Sequence, residues 1–231
     1  EVMLDNGVEI LYHDLFTNGI LYLDVGFNLH TLPEDLLPYV SLFGAALLGI
    51  GTETEDFVKF TQRIGRKTGG LRYTSFTSAV RDAAAVRDAA AVRDAGDATA
   101  WLFMRGKATV DQAGDLLDVF RDMLLTVKLD NQARFRQMLL EQKASQEASL
   151  IPMGHRVVVS RLRAKLNEAG WVAERIKGVD YLFFLRRLVK MVEDDWPTVL
   201  ARLKAVREIL INRNAMMCNV TVDTENWTKI Q

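Results

Sequence analysis

The stretch 57–76, FVKFTQRIGRKTGGLRYTSF, limits what this chain can fold into more than any other. Phe57, Phe60 and Ile64 recur at helical spacing. Arg63, Arg66 and Lys67 sit in the last turn, where cations favour the helix dipole, and Gly69-Gly70 supplies a left-handed stop. Tyr73, Thr74, Phe76 and Thr77 then bring in the β-branched and aromatic pattern of a strand. A helix is therefore reversed by two glycines directly into a sheet, and the rest of the chain has to supply that sheet with partners and cover.

Upstream, residues 8–13 and 20–30 alternate apolar and polar positions as strands do, through Ile10 and Tyr12, then Leu21, Leu23, Val25, Phe27 and Leu29. The turn signal Asn18-Gly19 lies between them, so an antiparallel hairpin is expected. Thr31 and Glu34 read as a capping box ahead of a helix that is apolar nearly all round, from Leu36 to Leu48. Such a helix has to lie between a sheet and other helices. Downstream, AVRDAAAVRDAAAVRDA runs from Ala79 to Ala95 with a period of six. That period matches neither helix nor strand, and it sets each Arg beside its Asp rather than four residues away. The preferred reading is an expanded hairpin tip, although alanine also permits a short exposed helix. Deleting residues 83–94 is then expected to change stability by no more than roughly 0.5 kcal/mol.

Residues 98–109 resume the sheet and should pair with 71–80 across the repeat, with Gly106 marking a bulge or strand end. A helical block follows. One helix carries the stripe from Leu116 to Val127, and a second, capped by Asp130, reaches about Leu150. Further helices are expected over 157–169, 171–176, 181–192 and 197–211. The short apolar strand 216–222, MMCNVTV, has only the N-terminal sheet to join. The expected fold class is α+β: a largely antiparallel sheet with helices packed on one face, a single domain over 1–231.

The 231 residues are enough for one sizeable core. A net charge of −1 gives no overall positive field, so neither nucleic acid nor an anionic membrane is an expected partner. Cys218 is the sole cysteine, which leaves no internal disulfide. No apolar run reaches the roughly 20 residues of a membrane helix. The start at Glu1 is neither an initiator methionine nor a signal peptide, so a piece of a longer protein is expected.

No catalytic constellation emerges. His13, His30 and His155 stand far apart, and no HExxH, HxxEH or cysteine pair supplies a metal site. Gly65-Arg66-Lys67-Thr68 glances at a phosphate loop, but Phe60 stands where the earlier glycine belongs and a helix leads in where a strand should. Ser78, Ser160 and Cys218 have no base at a motif spacing. The basic clusters Arg161, Arg163, Lys165 and Arg186, Arg187, Lys190 read as solvated helix faces, with a substrate or partner contact as the minority reading. Trp171, Tyr181, Phe183, Phe184 and Trp196 read as packing residues.

Nine blocks in order carry a resemblance: HDLFTNGILYLDVGFNL, LPEDLLPYVSLFGAALLGIGT, FTQRIGRKTGG, FMRGKA, Gly154-His155, RLRAKLNEAGW, GVDYLFFL, Asp195-Trp196 and NVTVD. Together they resemble the presequence proteases of mitochondria and chloroplasts, zinc metallopeptidases of the pitrilysin and insulinase group. That resemblance implies two bowl-shaped halves, each of two homologous α+β domains, joined by a helical hairpin and closing around a peptide chamber. It places zinc on an inverted His-x-x-Glu-His motif in the first domain, and an active-site arginine and tyrosine in the last. This sequence resembles the third domain, the first of the C-terminal half, which has none of these. No catalytic, cofactor-binding or metal residue can therefore be carried over to it, and the segment by itself is expected to be inactive. The resemblance further implies that the partners are the N-terminal half and last domain of the same protein, together with short unfolded peptides. The implied location is the mitochondrial matrix, the chloroplast stroma or both, and residues 224–231 would begin a linker to the following domain. The alternative is an autonomous binding or scaffold domain that keeps the fold without peptidase activity.

Overall fold

The structure, a computed structural model, describes residues 1–3, 9–79, 98–213 and 216–230. The alanine-rich repeat lies outside the described residues, apart from Ala79. The strands are β1 (Val2–Met3), β2 (Glu9–Asp14), β3 (Ile20–Asn28), β4 (Leu71–Ala79), β5 (Ala98–Thr109) and β6 (Met216–Val222). The helices are α1 (Val40–Gly49), α2 (Phe57–Lys67), α3 (Ala113–Leu125), α4 (Gln132–Leu150), α5 (Gly154–Leu166), α6 (Glu168–Lys177), α7 (Val179–Asp194), α8 (Trp196–Leu210) and α9 (Thr224–Ile230). The six strands form one sheet in the order β1-β2-β6-β3-β5-β4. All pairings are antiparallel except β2 with β6.

The alternation read from β3, β5 and β6 sorts their side chains onto two faces. Leu21, Leu23, Val25, Phe27, Ala100, Leu102, Met104, Val220 and Val222 all belong to the buried core. α1 lies over this side with Val40, Leu42, Phe43, Ala46 and Leu47 buried, as an all-round apolar helix requires. α3, α4, α7 and α8 add Leu116, Phe135, Leu185 and Leu203 to the same cluster. The α+β reading, with helices covering one face of a largely antiparallel sheet, is the architecture observed.

Several local readings need correction. β2 and β3 do not pair with each other, because β6 lies between them, parallel to β2 and antiparallel to β3. Asn18 and Gly19 do turn, with φ of 54° and 75°. Residues 15–19, however, are long enough to cross the roughly 9.6 Å that two strand spacings require. Thr31 is no helix cap. Asn28 caps a short 3₁₀ turn, Leu29–Thr31, and Pro38 sits within a second, Glu34–Tyr39, so α-helix starts only at Val40. Asn131, not Asp130, caps α4 by accepting from the Arg134 amide.

At the organising stretch, Asp56 caps α2 and the glycines divide the work of stopping it. Gly70 takes φ +99°, whereas Gly69 donates its amide to the Lys107 carbonyl at 2.7 Å. A Cβ at Gly69 would lie 2.9 Å from Lys107 Cγ. Gly106 is no bulge: it pairs in register with Leu23 and Leu71, and a Cβ there would stand 2.6 Å from Phe120. β4 and β5 do pair as expected, in register from Leu71↔Gly106 to Ala79↔Ala98. Residues 224–230 form α9, whose Trp227 stacks on Tyr12 of β2 at 4.8 Å.

Candidate functional site: the uncovered sheet face

Among the described residues, the helices leave the second face of the sheet uncovered, and the side chains that alternate onto it form a continuous depression. At its centre Asp24 of β3 stands opposite both Arg105 of β5 and Asn219 of β6. The Arg105 guanidinium donates twice to the Asp24 carboxylate, Nε to Oδ1 at 2.9 Å and Nη2 to Oδ2 at 2.7 Å, and Asn219 Nδ2 donates to Oδ2 at 3.4 Å. Those hydrogen bonds to Asp24 hold the Arg105 pKa above its ordinary value. One side of this pair is a polar hollow of about 470 Å³ walled by Tyr22, Arg72, Lys107 and Thr221. The other is an aromatic hollow of about 410 Å³ walled by Phe76, Trp101, Phe103 and Met217.

Local sequence explains the shape. Gly26 has no side chain, and a Cβ there would come within 2.7 Å of Phe103 and 2.8 Å of Met217, so those two side chains close over the glycine. Trp101 stacks with Phe103 at 6.1 Å and donates its indole N–H to Thr99 at 2.8 Å. Phe76, opposite Trp101 on β4, remains 48% exposed. Apolar surface beside a bidentate ion pair suits binding. Among the residues that line it there is no cysteine and no histidine.

The residues singled out from sequence are scattered. His13 lies on β2, His30 in the first 3₁₀ turn beside Glu168 at 3.8 Å, and His155 in the first turn of α5. Among the described residues, no three His, Cys, Asp or Glu side chains converge as metal ligands do. In the Gly65–Thr68 run, Lys67 pairs with Asp115 at 3.1 Å and the Thr68 hydroxyl donates to the Ile64 carbonyl, the arrangement of a helix end. Ser78 donates to the neighbouring Ala79 carbonyl, and Ser160 donates to Glu174 Oε2 at 2.7 Å. Burial pushes the Cys218 thiol up to about 11, with the Asp24 charge adding to the rise, so it stays protonated at neutral pH.

Arg161 is held by Glu174 and Asp180, and Arg186 by Glu147, whereas Arg163, Lys165, Arg187 and Lys190 are exposed. Tyr181 and Phe184 are core residues, Trp171 and Trp196 pack against the core, and Phe183 is exposed. Asp24, Arg105 and Asn219 were not singled out in the sequence. Their signal was a charge or amide at alternate positions of otherwise apolar strands, which becomes a site only when three strands are set side by side.

A six-stranded, largely antiparallel sheet with helices on one face defines an α+β domain. Residues 1–188 match the family of domains associated with the C subgroup of the M16 peptidases, and the chain belongs to that family. It is 37% identical over 226 residues to Presequence protease 1, chloroplastic/mitochondrial, of Arabidopsis thaliana, covering 98% of this chain and 20% of the relative. It is 28% identical to Protein HypA of Clostridium perfringens, covering 96% of this chain and 22% of that protein. The chain thus spans about a fifth of the length of these relatives. Among solved structures, the peptidase M16 inactive domain from Pseudomonas fluorescens superposes with a TM-score of 0.60 at 14% identity, over 99% of this chain and 47% of that one, which shows a shared fold.

Proposed function

We propose that this chain is a noncatalytic, chamber-forming domain of a zinc metalloendopeptidase of the presequence protease type, the third of its four domains. The observation that carries the reading is the match over 98% of the chain to one-fifth of a presequence protease, which leaves four-fifths of such a protein to supply the chemistry. In this reading zinc and the reacting groups belong to other domains, and the parent protein works in the mitochondrial matrix, the chloroplast stroma or both. This segment closes with the N-terminal half and last domain around short unfolded peptides, selecting them by enclosure and not by a sequence-reading pocket. Residues 224–231 lead on toward the following domain.

The test compares the 231-residue chain with the whole protein for zinc content and for cleavage of a fluorogenic presequence peptide. The whole protein is expected to bind zinc and cleave; the chain alone is expected to do neither. Chelator-sensitive cleavage by the chain alone overturns the reading. The continuous core shared by the sheet and most of the helices favours, as a second reading, a domain that binds or scaffolds on its own. A reading frame upstream of Glu1 that encodes a homologous half with His-x-x-Glu-His separates the two in favour of the first.

A further inference from the structure

On the helical side of the sheet, α6 folds back along α5. Gly170 lies against the Arg163 carbonyl, and three residues back along α5 Ser160 bonds Glu174, one turn further on in α6. Between the two helices runs a groove of about 490 Å³, floored by Val159, Gly170 and Ala173 and bounded by Thr77 of β4. Its charged walls are all of one sign. Arg156 stands at one end with His155 and Lys177, and Arg163 stands at the other.

Among the described residues, no carboxylate lines the groove. Glu174, which accepts from Ser160 of the lining, is 2% exposed, and its oxygens are taken by Ser160, Arg161 and the amides of Val179 and Asp180. Neighbouring Arg161 has two carboxylates, yet among the described residues Arg156, Arg163 and Lys177 make no ion pair. The first turn of α5 also carries no acidic residue and no side-chain cap, so Arg156 adds positive charge to the positive end of a helix. An anion in the groove would offset both.

The spread of the cations indicates what kind of anion fits. From residue 156 to 163 the α5 axis rises about 10 Å, wider than a single phosphate or carboxylate. An extended peptide covers that distance in about three to four residues. The volume lies within the 300–1,000 Å³ typical of ligand sites. We infer that the α5–α6 groove binds an extended acidic peptide segment whose carboxylates, about four residues apart, meet Arg163 at one end and Arg156 with Lys177 at the other. The inference concerns a different surface from the uncovered sheet face and does not depend on where the zinc chemistry lies.

The experiment is fluorescence anisotropy of the 231-residue chain at low ionic strength, with a labelled peptide carrying two glutamates about four residues apart and a second peptide carrying glutamines instead. The glutamate peptide is expected to bind more tightly. Arg163→Gln combined with Lys177→Gln, both exposed positions, is expected to weaken it by about tenfold or more. Arg187→Gln combined with Lys190→Gln on α7 removes the same net charge elsewhere and is expected to leave binding within about twofold. The inference is overturned if the two peptides bind alike, if the groove variant binds as well as the parent, or if both double variants weaken binding equally. It is also overturned in favour of a point oxyanion site if inorganic phosphate, at constant ionic strength, displaces the peptide at concentrations near the peptide's own Kd.

Discussion

Replacing Glu174 by alanine removes one carboxylate that four donors share. α7 begins at Gly178-Val179 without a side-chain cap of its own, and Glu174 from the preceding helix does that work. Its Oε1 accepts from the Val179 amide at 2.9 Å and the Asp180 amide at 3.3 Å, while Oε2 accepts from the Ser160 hydroxyl at 2.7 Å. Losing a cap costs about 1 kcal/mol. Leaving a second amide and a half-buried hydroxyl without acceptors adds about 1 kcal/mol each. Arg161 contributes little, since its side chain is 48% exposed and keeps Asp180 at 2.6 Å.

The expected total for Glu174→Ala is about 3 kcal/mol. Glu174→Gln retains an acceptor oxygen and should cost about 1 kcal/mol. Urea unfolding followed by circular dichroism reads both as shifts in midpoint at unchanged slope. An alanine variant within about 1 kcal/mol of the parent, at the same slope, refutes the claim that this carboxylate caps α7. Gly178 supplies an internal check, because a Cβ there would lie 2.1 Å from Glu174 Oε2. Gly178→Ala should therefore destabilise the parent more than it destabilises Glu174→Ala, whose shorter side chain removes the contacts with the carboxylate while the 2.8 Å approach to the residue-174 Cα remains.

Gly70→Ala should cost about 1 kcal/mol through its left-handed φ alone, since open space surrounds the position, and Gly70→Asn should recover part of that loss. Gly69→Val, by contrast, should be costly because its side chain meets Lys107, so Lys107→Ala should relieve much of the penalty in the same unfolding assay. Cys218 should react with iodoacetamide in the folded protein at a rate that keeps climbing up to about pH 11. Because its folded pKa is raised from 9.0, its contribution to stability is complete below about pH 9 and disappears by about pH 11; a Cys218→Ala variant should lack that component of alkaline destabilisation.

Local order was legible in the residues themselves. β5 runs over 98–109 as read, α1 is buried on all sides as its composition demands, and β6 joins the N-terminal sheet. The corrections share one cause: each depends on which distant segment is adjacent. Asn18-Gly19 turns, but whether β2 then meets β3 is decided by β6, some 200 residues away, and by the backbone groups it offers to both. Gly106 breaks the strand pattern for the sake of Phe120, and Gly69 clears space for Lys107; neither partner is a sequence neighbour.

The same division applies to the sites. Periodicity, caps and charge fixed the class of fold and the absence of any recognisable catalytic spacing, because those quantities depend on residues a few positions apart. The Asp24–Arg105–Asn219 cluster, the capping of α7 from α6 and the single-signed groove between α5 and α6 were decided only by tertiary structure. A charge has little meaning until the groups that neutralise it, or fail to, have been brought within a few ångströms.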